Sequence, residues 1–152
     1  MSVDRFALDT NVLVYVVDDG AKDKQERARD VFTRAAANPD CVLAMQCVGE
    51  FYAAATRRRL VAPDAAAHRA RDLMRLFPTV DPVAADAEAA LDAATAGRFS
   101  YWNALLLTTL GRVGCTALLS EDMQDGAGLA GVTVLNPFVG ETLPERIATL
   151  LG

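Results

Sequence analysis

The stretch Phe6-Ala7-Leu8-Asp9-Thr10-Asn11-Val12-Leu13-Val14-Tyr15 constrains the fold more than any other. An apolar run reaches one carboxylate and continues directly into an apolar segment headed by Thr10 and Asn11. Read as a strand that ends on Asp and turns at once into a helix, it sets Asp9 at the carboxyl edge of a sheet. Open α/β folds build their sites on that edge. Helix capping accounts for the same residues, because Asp, Thr and Asn all cap helices. Deciding between the two depends on whether other acidic residues reach the same edge.

The rest of the chain alternates strand-like and helix-like segments. Residues 3–8 read as a buried strand, and Val12–Val17 as a short buried helix closed by Asp18-Asp19-Gly20. Residues 22–37 place Ala28, Val31, Phe32 and Ala35 at helical spacing beneath a charged face, and Asn38-Pro39 stops that helix. Cys41–Ala44 is a strand. Residues 46–59 form a helix with Val48, Phe51, Tyr52 and Ala55 as its stripe and Arg57-Arg58-Arg59 at its end. Those arginines suit a helix C-terminus, the commoner setting; the sharper alternative is contact with substrate phosphates. A helix from Pro63-Asp64 to about Phe77 carries Ala67, Ala70, Leu73, Met74 and Phe77 on one side. Thr79-Val80, Thr116–Ser120 and Val132–Leu135 are further strands. Residues 84–96 and Tyr101–Val113, the latter capped by Ser100, are further helices. Thr142-Leu143-Pro144-Glu145 reads as a capping box opening a terminal helix. The alternation predicts an α/β fold, a three-layer α/β/α sandwich with a mostly parallel central sheet, built as one domain over residues 1–152.

Several function classes are excluded or disfavoured at this level. The chain has 152 residues, 52% of them hydrophobic, which supports a sizeable core. A net charge of −5 argues against a passive nucleic-acid-binding module, which needs basic excess. It does not argue against a nuclease whose cations bring their own charge. Cys41, Cys47 and Cys115 lack zinc or disulfide spacing. The single histidine, His68, lies between Ala and Arg on a helix, and no nucleophile elbow appears. No segment is apolar enough to span a bilayer, and Met1–Arg5 do not open a signal peptide, so a cytoplasmic location is expected.

The acids then fall into place. Asp9 follows the first strand, Glu50 lies in the first turns of the helix after the second, and Asp122 follows the Thr116–Ser120 strand. In a parallel sheet these positions share one edge, and Asn103 in the first turn of its helix can face it. Carboxylates about 4 Å apart repel by roughly 4 kcal/mol at an effective dielectric near 20. Such a cluster calls for a cation or raised pKa values, and hard oxygen ligands without His or Cys select Mg²⁺ or Mn²⁺.

Four segments carry a family likeness: Leu8-Asp9-Thr10-Asn11-Val12-Leu13-Val14-Tyr15, Glu50-Phe51-Tyr52, Ser100-Tyr101-Trp102-Asn103-Ala104-Leu105-Leu106 and Leu119-Ser120-Glu121-Asp122-Met123-Gln124-Asp125-Gly126. In this order they resemble the signature segments of PIN-domain ribonucleases, with VapC-type toxins the nearest likeness. The resemblance implies a Mg²⁺- or Mn²⁺-dependent endoribonuclease that cuts structured RNA such as tRNA. It also implies neutralisation by a VapB-like antitoxin and a homodimer. Asp9, Glu50 and Asp122 match the family's acidic positions, Ser120 its small hydroxyl residue, and Asp125 is a candidate outer participant.

Asn103 departs from the pattern, which there reads Tyr-Trp-Asp. An amide oxygen can ligate a metal but brings no charge, so water activation should suffer. Three explanations stand side by side: a change introduced to let a toxic protein be expressed, a natural enzyme that is weak or silent, or compensation by Asp122, Asp125 and substrate phosphates. Two other functions compete. One is a catalytically silent PIN-like protein that binds RNA or an antitoxin. The other is a receiver or haloacid-dehalogenase-like phosphotransfer fold, disfavoured because Asp9-Thr10-Asn11 is not Asp-x-Asp and no Lys follows Val132–Leu135.

Overall fold

A computed structural model describes residues 4–152; the strand start expected at Val3 lies outside the described residues. The elements run β1 (Arg5–Leu8), α1 (Thr10–Val16), α2 (Lys22–Ala36), β2 (Cys41–Ala44), α3 (Met45–Arg57), α4 (Pro63–Leu76) and β3 (Thr79–Val80). They continue with α5 (Ala84–Thr95), α6 (Tyr101–Arg112), β4 (Cys115–Leu119), β5 (Gly128–Leu129), β6 (Val132–Leu135) and α7 (Glu145–Leu151). The sheet order is β3-β2-β1-β4-β6-β5, parallel throughout except for β5 at the edge. Apart from Arg5, every residue of β1 and β2 is buried, as strands covered on both faces require.

This order explains where the helices go. The chain steps from β1 to β2 to β3 in one direction, and right-handed crossovers put α1 to α4 on one face. It then crosses back under the sheet, so α5 and α6 cover the other face before β4 joins the free side of β1. Helix α1 packs on α2 and α3, and α5 packs on α6. The Arg112 guanidinium clasps the buried Asp86 carboxylate at 2.9 and 3.0 Å, pinning α6 to α5.

The helical stripes differ from their sequence reading in detail. On α4 the buried residues are Ala66, Ala70 and Leu73, with Phe77 just beyond, while Met74 is exposed. On α3 Cys47 joins Val48, Phe51 and Ala55 in the core and Tyr52 turns outward. The capping box at Thr142 does not form: Pro144 holds the N-cap position of α7, with no side-chain cap bond. Proline fixes the backbone just before Glu145 and sets the helix start by itself.

Strand β5 was not anticipated from sequence. It forms a hairpin with β6, pairing Leu129 with Val132 across Ala130 and Gly131, both at positive φ (55° and 80°). Two central residues at positive φ match the twist of a tight hairpin. The hairpin presses on α6 at Gly111, where an added Cβ would meet the Ala130 carbonyl oxygen at 2.3 Å. A helical Gly ordinarily gains about 1 kcal/mol on replacement by Ala. Here the close approach outweighs that gain, so Gly111→Ala is expected to cost about 1–3 kcal/mol and lower Tm by about 2–4 °C per kcal/mol. Gly49→Ala, on an open face of α3, is expected to raise Tm. Thermal melts of the two variants check the pair.

Candidate active site

Strand β1 lies between β2 and β4, so the sheet reverses its direction of growth between β1 and β4. Ligand sites of open α/β sheets lie outside the carboxyl ends at such a point. The register is Leu8 beside Leu119, which brings Asp9 and Ser120 side by side at those two ends. The Ser120 hydroxyl donates to Asp9 Oδ2 at 2.7 Å, and the Asp9 backbone N–H bonds to the Leu119 carbonyl.

Asp9 is 5% exposed. It also caps α1, since its Oδ1 accepts from the Thr10 N–H at 2.8 Å. Capping and site-forming are thus the same act. Burial pushes its carboxyl above the usual Asp range; bonds from Ser120 and Thr10 oppose this, the Asp122 charge adds to it and the Cys47 thiol opposes it. The Asn11 amide Nδ2 lies 3.1 Å from Ser120 Oγ, 3.2 Å from Asp122 Oδ2 and 3.4 Å from Asp9 Oδ2. One side-chain amide therefore presents its positive end to both carboxylates. The Asn11 carbonyl accepts from the Glu121 N–H, and Ser120 Oγ accepts from the Asp122 N–H.

Glu50 stands one hydroxyl away: Thr10 Oγ1 donates to its Oε2 at 2.7 Å, and Gln46 donates to its Oε1 at 3.2 Å. The same Gln46 amide lies 3.4 Å from the Trp102 carbonyl, tying α3 to the start of α6. Asn103 sits in that first turn, its N–H capped by Ser100 Oγ at 3.2 Å. Thr10, Asn11, Glu50, Asp122, Arg57 and Arg58 line one cleft of about 460 Å³. Asp9 lies beneath Asn11, and Asn103 is outside the cleft lining. Arg58 also pairs with the buried Asp18 at 2.9 Å, so the arginines both close α3 and face the cleft. Asp125 is occupied elsewhere, accepting from the Asn136 N–H.

Sequence reasoning assigned no role to Thr10, Asn11 or Gln46. The spacing of Thr10 and Asn11 beside Asp9 was visible. Gln46 carried no signal beyond lying one helical turn before Glu50.

The donors suit a hard divalent cation. They are oxygens without histidine. The neighbouring thiol does not compete, because burial pushes Cys47 well above its usual value, and Cys115 lies at the opposite end of β4. Among the described residues no three His, Cys, Asp or Glu side chains converge closely enough to enclose an ion.

A PIN-domain family model matches residues 6–124, spanning all three acids and Asn103. The chain belongs to the PIN-domain family. Its fold is shared with VapC20 of Mycobacterium tuberculosis, a Sarcin-Ricin loop cleaving toxin, at TM-score 0.63 and 16% identity over 77% of this chain and 89% of that one. A toxin–antitoxin complex from Klebsiella pneumoniae aligns at TM-score 0.62 and 18% identity, covering 87% and 96%. DNA-bound VapBC from Salmonella typhimurium aligns at 0.62 and 16%, covering 88% and 98%. No curated protein matches the chain in sequence. With the family established, the receiver and dehalogenase alternatives fall away. Among the described residues no helix is long and apolar enough to cross a membrane.

Proposed function

We propose that this chain is a VapC-like toxin, a divalent-metal-dependent endoribonuclease acting on structured RNA such as tRNA. The observation that carries the reading is the pair Asp9 and Asp122 at the switch point of the sheet, bridged by Asn11, with Asp122 lining a cleft that also holds Glu50, Arg57 and Arg58. Acids to hold a cation and cations to hold phosphates in one cleft are what phosphodiester cleavage requires.

Asp9 and Asp122, with Glu50 and the Asn103 amide oxygen flanking them, would hold Mg²⁺ or Mn²⁺. The bound ion would activate water and stabilise the leaving oxygen. Ser120 and Asn11 keep both carboxylates aimed at the cleft. Thr10 and Gln46 fix the Glu50 rotamer. Arg57 and Arg58 face the cleft as phosphate contacts.

A VapB-like antitoxin and a second copy of the chain complete the proposal. The exposed Met74 and Leu76 on α4 offer apolar surface for a partner. A second reading, a silent PIN-like binder of RNA or antitoxin, is favoured by one feature only, the uncharged Asn103. Incubating the chain with a tRNA pool and Mn²⁺ tests both: metal-dependent fragments support the nuclease, and intact RNA with retained binding supports the silent form.

A further inference from the structure

Trp102 is the most exposed large apolar side chain among the described residues, at 64%. It precedes Asn103 and lies at the edge of the site. Its ring is not loose: Tyr101 meets it edge-on with centroids 5.0 Å apart, and Tyr101 packs on the small α5–α6 core. Its carbonyl is tied through Gln46 to Glu50. Gln46, Glu50, Ala53 or Ala54 and Arg57 follow one another along a single face of α3. At 1.5 Å per residue that face runs about 16 Å. The Trp102 backbone is tied to one end of that face, an acid stands in the middle beside small alanine side chains, and cations stand at the other end.

The chain is acidic overall, at −5, so phosphate attraction away from Arg57 and Arg58 is weak. Beyond those arginines and the cation the cleft would hold, a base contact is a further source of affinity. We propose that Trp102 is a stacking platform for an unpaired base flanking the scissile phosphate, so that α3 measures a single-stranded track from indole to arginine. The proposal rests on the ribonuclease reading of the cleft. A paired base has both faces covered and cannot use the platform. An unpaired base can, whatever its identity, because every base offers a π face.

Trp102 is the only tryptophan of the chain, so its emission reports directly. A 12-nucleotide single-stranded RNA, added with Mg²⁺, is expected to quench it, and the same RNA annealed to its complement is not. In the Asn103→Asp form, Trp102→Ala is expected to lower kcat/KM on that strand by about 10–100-fold, the loss lying in KM, while Trp102→Phe recovers most of it. Quenching without cleavage by Asn103→Asp would sink the nuclease reading and leave the platform standing. Cleavage with an unchanged KM in Trp102→Ala would overturn the platform and leave the nuclease standing. Emission that responds to protein concentration rather than to RNA would also overturn it and assign the ring to an interface between copies.

Discussion

Replacing Asn103 by Asp is expected to raise Mn²⁺-dependent RNA cleavage by about 10²–10³-fold. The substitution changes one amide to a carboxylate at the first turn of α6, next to the Trp102 carbonyl that Gln46 holds beside Glu50. A carboxylate adds one negative charge to a site in which two others, Asp9 and Asp122, share the Asn11 amide. Stronger cation binding at that flank is worth several kcal/mol in the transition state, and each 1.36 kcal/mol is about tenfold in rate. The measurement is single-turnover cleavage of one labelled RNA by both forms across a Mn²⁺ titration. Equal rates would show that Asp9, Glu50 and Asp122 suffice and that Asn103 is no ligand.

Asp9→Asn, made in the Asn103→Asp background, is expected to remove cleavage by about 10³-fold or more and to abolish the thermal shift given by metal. At a hundredfold excess over Kd a bound ion stabilises by about 2.7 kcal/mol, or roughly 5–10 °C in a chain of this size. The same variant is expected to melt slightly higher than its parent without metal. Asp9 is 5% exposed, and burial and the nearby Asp122 charge both disfavour its charged form. An amide escapes that cost and keeps a carbonyl for the Thr10 N–H. Loss of activity with gain in metal-free stability is the trade expected of a strained functional site. A metal response left intact would show that Asp9 is not a ligand.

How much of this was legible beforehand depended on range. Cys41–Ala44 was read to the residue, since an apolar run bounded by Pro39-Asp40 and a helix has one reading. Asp9 and Asp122 were readable because each follows an apolar strand, and a parallel sheet puts all such ends on one side. Ser100 was readable as a cap from local sequence, and its hydroxyl oxygen accepts from the Asn103 N–H. The β5 hairpin was not readable: its turn is Ala130-Gly131, lacking the Asn or Asp that usually marks two residues at positive φ. Met74 and Ala66 exchanged roles because helical spacing fixes a stripe only to within a residue or so. The bonds from Asn11 to Ser120 and Asp122 join residues 109 and 111 positions apart. No local pattern encodes such a contact; it follows from the pairing of β1 with β4.

That pairing has a temporal consequence. Strand β1 is made well before β4, yet Asp9 acquires Ser120 and Asp122 only when the two lie side by side. A nascent chain released as far as α5 carries Asp9 and Glu50 and nothing to complete them. Closure of the Asp9, Ser120 and Asp122 cluster and completion of the sheet are therefore one event, and a chain that stops before β4 has neither.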